Sequence, residues 1–311
     1  MKSCKIIMYH YVRPISGSAD PEIKGLEYEE FKRQIRFFKK NYTFLIIDEL
    51  LDCIYGNLEI PKNSIVLTFD DGFSDHYEYV FPLLKKEGVQ GLFFPPGKAI
   101  DKNKVLDVHK IQYILAKSTD IKEIVRDIFG LINKNKKNFD LDDPKIYFSN
   151  LIKQKDRFDP KEVVFIKQIL QRALPFYLRN QFTDILFKKY VKIDEFSLSK
   201  KLYLTYENIK EMTEGNMFFG SHGYLHDWLG DMNHEELKKE LAKSDKFLSK
   251  ITTKKHVKVM CYPNGNYNKQ VINAIQKLNY KIGLTTQVGD ANLNLSNAFS
   301  LKRWDTNDFP Q

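Results

Sequence analysis

The chain alternates short apolar runs with amphipathic helical stretches, and that rhythm restricts it to parallel strands covered by helices. The runs lie at residues 4–9, 44–47, 64–69, 91–94, 216–219, 257–262, 281–285 and 299–301. Helical patterns fill the gaps at 27–41, 74–87, 234–251 and 267–278. Asn233 with Glu236 reads as a capping box opening the third of these, and Leu237, Leu241, Phe247, Leu248 and Ile251 mark its buried stripe. The number of runs is about what a (β/α) barrel requires, so the sequence predicts an α/β fold of about seven or eight barrel strands.

Residues 101–200 break the rhythm with helical patterns alone, at 108–117, 121–134, 161–174 and 176–190. The predicted organisation is therefore a barrel from 1–100 and 201–311, with 101–200 as a helical insertion subdomain over or beside the cleft. Of the net charge of +9, this insertion carries a surplus of +7, from 21 Lys+Arg against 14 Asp+Glu. Such a balance suits an anionic partner, a nucleotide- or lipid-linked sugar or an acidic membrane surface touched peripherally, although lysine-rich composition alone reads the same. No nucleic-acid partner is expected, and the oligomeric state is not legible.

Cys4, Cys53 and Cys261 have no framework spacing, which favours a reducing compartment. The apolar run at the N-terminus breaks at His10 and Arg13, too early for a signal segment, and no stretch reaches membrane-spanning length. With Met1 as the start, the expected location is cytoplasmic.

Polar residues cluster just past the runs. His10 closes the first, Asp70-Asp71-Gly72 the third, Ser221-His222 the fifth, Pro263-Asn264 the sixth and Arg303-Trp304-Asp305 the last. In a parallel barrel the C-terminal strand ends share one face, so these distant groups are expected to meet in one cleft. His222 and His226 sit at i and i+4, a spacing that faces two imidazoles the same way on a helical turn, and one carboxylate would complete a divalent-metal set. The second aspartate is then free to act as general base on a water whose pKa the cation lowers. His10 is the candidate proton donor, the backbone N–H of Asn264 a candidate oxyanion donor, and Arg303 with Asp305 a candidate ion pair near Asp70.

Thr68-Phe69-Asp70-Asp71-Gly72, His222-x-x-x-His226 and Tyr262-Pro263-Asn264-Gly265 together resemble the polysaccharide deacetylases, the NodB-homology group or carbohydrate esterase family 4. The resemblance covers roughly 1–12, 60–96 and 200–310 and implies a distorted (β/α) barrel. It also implies metal-dependent removal of an acetyl group from an acylated sugar. Carried over by motif, Asp70 would be the general base, and Asp71, His222 and His226 would bind the metal, usually Zn2+. The N–H after Pro263 would help hold the oxyanion. Met8-Tyr9-His10 resembles the acid-bearing segment of the permuted exopolysaccharide branch, which makes His10 the general acid.

The chain departs from the family pattern in three places. Gly223 stands where a Ser or Thr usually braces the loop, Cys261-Tyr262 where an arginine usually precedes the proline, and no late Leu-x-His is visible. The expected function is a metal-dependent deacetylase acting on an N-acetylated sugar in surface polysaccharide or glycan biosynthesis. A deformylase or O-deacetylase using the same site, and a catalytically silent carbohydrate-binding protein, are the alternatives.

Overall fold

The computed structural model describes residues 3–18, 20–153, 159–253 and 256–310; Met1, on which the expected location rested, lies outside them. The chain divides into two compact units, one of Met1–Gly17, Lys24–Lys104 and Ser199–Gln311, the other of Ser18–Ile23 and Val105–Leu198.

The first unit is a distorted (β/α) barrel. Strand β1 (Ser3–Tyr9) pairs in parallel with β2 (Ser64–Asp70), β2 with β3 (Gly91–Phe94), and β3 with β4 (Phe218–Phe219). A single parallel bridge, Ser221 to Met260, leads on to β5 (Lys258–Cys261), which pairs with β6 (Tyr280–Leu284). A second bridge, Leu284 to Leu301, reaches the segment ending in β7 (Trp304–Asp305), and β7 pairs with β1 to close the ring. The two single-bridge links are where the barrel is distorted.

Side chains alternate across a strand, so each strand sends every second residue inward. Cys4 and Ile6, Val66, Leu92 and Phe94, Phe218, Val259 and Cys261, Ile282 and Leu284, and Leu301 form one buried cluster. The opposite file packs beneath the helices. There Tyr9, Phe69, Phe93 and Phe219 stack across four neighbouring strands, with ring centroids 5.0, 4.8 and 5.6 Å apart. Aromatic pairs of this kind contribute about 0.5–1.5 kcal/mol each beyond their buried area.

Two expected strands shift. The run at 44–47 contributes only Thr43–Phe44, which pairs with the first half of β2, because Glu49 accepts from the Ile46 N–H at 3.0 Å and starts the helix Ile47–Tyr55. The run at 299–301 supplies one bridge, and the closing strand proper follows it at Trp304–Asp305.

The second unit is helical, with helices Asp107–Lys117, Ile121–Phe139, Pro144–Leu151, Lys161–Gln168 and Phe176–Tyr190. Ile124, Ile128 and Ile132 recur at helical spacing and are fully buried. Lys110, itself buried, binds Asp184 at 2.6 Å and Glu195 at 3.1 Å, which supplies the pairing a buried ammonium needs. Among the described residues no helix is long and apolar enough to cross a membrane.

Candidate active site

Three inward files of the barrel end in polar residues at the same mouth. Val66 is followed inward by Thr68 and Asp70, Phe218 by Gly220 and His222, and Leu301 by Arg303. A period of two therefore carries apolar packing into chemistry within one or two steps. His10 extends the file of Cys4 and Ile6, and the pairing of Tyr9 with Phe69 brings it level with Asp70.

Asp70 and Asp71 are consecutive, and in an unbroken strand they would point to opposite faces. The chain instead leaves β2 with Asp71 at φ +72° and Gly72 at φ +64°, the left-handed region that L residues rarely adopt. Gly72 has no alternative there, since a Cβ would lie 2.6 Å from that of Pro95. The turn brings both carboxylates to the site, buried at 1% and 4% exposure.

Asp71 Oδ1 lies 3.6 Å from His222 Nε2 and 3.3 Å from His226 Nε2. Ligand atoms each about 2.1 Å from a tetrahedral cation sit about 3.4 Å apart, so the three donors have the spacing of a metal site. His222 Nδ1 bonds the Cys261 carbonyl at 2.7 Å, which orients the ring and turns Nε2 toward Asp71. Burial pushes His222 down to about 4, so its imidazole is neutral and available as a ligand. Burial works the same way on His226, yet the hydrogen bond and charge of Asp71 draw its pKa above the usual value. The residues fit a divalent cation bound by Asp71, His222 and His226.

The two histidines do not share a helical turn. Residues 222–228 form an irregular loop, with Gly223 at φ +69° and His226 at φ +57°. The rings converge, centroids 4.8 Å apart, because the backbone twice turns left-handed. The loop carbonyls of Gly223 and Tyr224 accept from the N–H groups of Gly97 and Lys98, at the start of the helix Gly97–Lys102, at 3.2 and 2.8 Å.

Arg303 does not pair with Asp305. Its guanidinium donates to Asp70 Oδ1 at 2.9 Å and Oδ2 at 2.8 Å, and also to Thr68 Oγ1 at 3.1 Å. Asp305 instead caps the closing turn by accepting from the Asn307 N–H at 2.9 Å. Burial pushes the Asp70 carboxyl up, but the charge of Arg303, with that of His222 behind it, carries it down to about 2. No arginine precedes Pro263, and the one that reaches Asp70 lies forty residues further along the chain. Cys261 points inward from β5 with its thiol 3.4 Å from Asp70 Oδ1, and burial holds that thiol protonated. Asp70, His222 and Cys261 also satisfy the proximity of a metal set. Asp70 is already committed to Arg303, and the Cys261 thiol is held protonated, so the Asp71 set is the better fit.

Asn264 sits at φ +56° in a turn closed by the Gly265 N–H on the Tyr262 carbonyl at 2.9 Å. Pro263 borders the histidine loop, its Cγ 3.3 Å from where a Cβ on Gly223 would stand.

Two residues absent from the sequence reading support the site. His76 is fully buried and bonds the His10 carbonyl through Nε2 at 2.9 Å. Glu240 accepts from the Tyr224 and Leu225 N–H groups at 2.6 and 2.7 Å. Its signal was a carboxylate on the apolar stripe between Leu237 and Leu241.

A polysaccharide deacetylase family profile matches residues 58–129 and 177–283. YxkH of Bacillus subtilis (strain 168), assigned by name to the polysaccharide deacetylases, is 30% identical over 287 residues, 92% of this chain and 65% of that protein. The Escherichia coli (strain K12) poly-β-1,6-N-acetyl-D-glucosamine N-deacetylase is 27% identical over 96 residues, 30% of this chain. The chain thus spans 65% and 14% of the lengths of these two relatives. In fold, it resembles the Streptococcus pyogenes deacetylase PplD in complex with acetate (TM-score 0.58, 19% identity, 97% of this chain and 92% of that one). IcaB from Ammonifex degensii is as similar in shape (TM-score 0.58, 15% identity, 99% and 94%).

Proposed function

The chain belongs to the polysaccharide deacetylase family, and on that premise we propose that it is a metal-dependent hydrolase removing the acetyl group from an N-acetylated sugar of a surface polysaccharide or related glycan. One observation carries the reading: Asp71 stands 3.3–3.6 Å from two imidazole nitrogens, while its neighbour Asp70 is held ionised by Arg303. One carboxylate is a ligand and the other remains a base.

Asp71, His222 and His226 would hold a divalent cation, Zn2+ first among them, and the chemistry it would supply is polarisation of an acyl carbonyl and a lowered pKa for water. Asp70 takes the proton of the attacking water. Its two oxygens offer about four lone-pair sites, and Arg303 with Cys261 leaves at least one open. The N–H of Asn264 donates to the oxyanion as it develops. His10, level with Asp70 across the β1–β2 pairing, protonates the departing nitrogen. Acetate and a free amino sugar leave.

The deciding assay measures acetate released from β-1,6-linked N-acetylglucosamine oligomers, the polymer named for the E. coli relative, before and after chelation and zinc addition. Acetate that appears with zinc and is lost in Asp70→Asn supports the proposal. Formate from N-formyl sugars, acetate from O-acetyl sugars alone, or no turnover with any of them, would favour the alternatives.

A further inference from the structure

The loop that carries His222 and His226 cannot hold its own shape. It has no helical hydrogen bonds, two residues in the left-handed region, and a glycine where a bracing side chain would sit. We infer that Glu240 is the positioning residue that fixes this loop in its metal-ligating form. The inference deepens the proposed function, and it rests on the reading of Asp71, His222 and His226 as ligands.

The consecutive N–H groups of Tyr224 and Leu225 point the same way, and Glu240 Oε1 accepts from both, at 2.6 and 2.7 Å. Successive amides turned to one side form a cradle for an anion, and a carboxylate binds them with charge-assisted hydrogen bonds. These two bonds fall midway between His222 and His226, where a rotation of the backbone would part the imidazoles.

Glu240 stands at an expensive place. It is 2% exposed on a buried helix face it shares with Leu237, Leu241, Ser244, Phe247 and Leu248, where an apolar residue would continue the packing. Its Oε2 has no hydrogen-bond partner among the described residues, so the loop is what its carboxylate serves. One turn further along, Ser244 Oγ bonds Ser221 Oγ at 2.6 Å, and Ser221 Oγ accepts from the Gly223 N–H at 3.3 Å. Residues 240 and 244 of one helix face therefore grip the loop at two points.

Gly223 and Glu240 are complementary. A Cβ at position 223 would stand 3.1 Å from Glu240 Oε1, on a backbone at φ +69°. A side chain at position 223 would crowd the point where the helix reaches in.

The test is zinc affinity by competition with a chelating dye, alongside the melting temperature of the metal-free protein. Glu240→Leu, which continues the apolar stripe, and Glu240→Asp, which keeps the charge but falls one methylene short, should each bind zinc about 10–100-fold more weakly. Glu240→Gln, whose carbonyl oxygen still accepts both N–H groups but without the charge, should bind zinc more weakly than the parent and more tightly than Glu240→Leu. Should a folded Glu240→Leu or Glu240→Asp bind zinc like the parent, the inference is overturned. A merely structural residue would lower the melting temperature and leave zinc affinity alone. Asp71→Asn separates this failure from that of the ligand set: parental affinity in Asp71→Asn overturns the ligands themselves, whereas affinity lost there but kept in both Glu240 variants overturns only the role of Glu240.

Discussion

Arg303 reaches back across 233 residues of sequence to lay its guanidinium along both oxygens of Asp70, at 2.9 and 2.8 Å, in a site where each is at most 2% exposed. Neither group could be buried so deeply alone. The fork geometry satisfies both carboxylate oxygens, and the remaining Arg303 donors reach Thr68 Oγ1 and the Thr285 carbonyl at 3.1 and 2.7 Å. The last strand of the barrel thereby fixes the charge of the candidate base.

Arg303→Met should leave Asp70 buried without a counter-charge and destabilise the fold by about 3–5 kcal/mol, the usual effect of breaking such a pair. Arg303→Lys should recover only part of this, because an ammonium cannot span two oxygens. Urea midpoints of the three proteins at neutral pH check the order, and a parental midpoint in Arg303→Met would contradict it.

The pH dependence follows from the same pair. The folded pKa of Asp70, about 2, lies below its ordinary 3.8, so the pair stabilises the protein above about pH 4 and that contribution is lost as pH falls through 2. At any pH where turnover is measured Asp70 is ionised, and the acid limb of kcat/KM belongs to another group. Arg303→Met leaves burial as the main influence and should raise the Asp70 pKa above 3.8, moving the acid limb of the pH–rate profile upward. An unmoved limb would count against Asp70 as base.

Chelation should abolish acetate release, and zinc should restore it. Asp71→Ala should lose zinc binding and activity together. His10→Ala should keep zinc affinity while kcat falls by about 10²–10⁴-fold, the range for a missing general acid. Titration calorimetry beside steady-state kinetics distinguishes the two patterns, and a His10→Ala enzyme with parental kcat would remove His10 from the mechanism.

His76 predicts a stability effect of its own. Burial pushes its pKa from 6.5 down to about 4, so the unfolded chain binds a proton there that the folded chain refuses. Stability from this group is present above pH 6.5 and lost as pH falls to 4, by about 3 kcal/mol over the window. His76→Gln keeps an N–H for the His10 carbonyl but does not titrate. The stability of the parent relative to His76→Gln should therefore fall between pH 6.5 and 4 in paired denaturation curves. Parallel curves would show that His76 is not refusing its proton.

The sequence alone determined what depends on neighbours within a few residues: the βα rhythm and the polar residues just past the apolar runs at Asp70, His222 and Arg303. Apolar periodicity survives in any fold that buries it, so these features can be read before the structure is known. The spacing of His222 and His226 was legible as well, but its cause was not. Four residues suit a helical turn, and only the left-handed backbone at Gly223 and His226 showed a loop instead. Tertiary structure decided the partners. Whether Arg303 would meet Asp305 beside it or Asp70 across the barrel depended on how the last strand docks on β1, with Ile7 opposite Trp304. Glu240 gained its role only when its helix packed against the loop. Such choices rest on contacts between distant segments whose register no local pattern encodes, because the free energy that selects them exists only once the ring has closed.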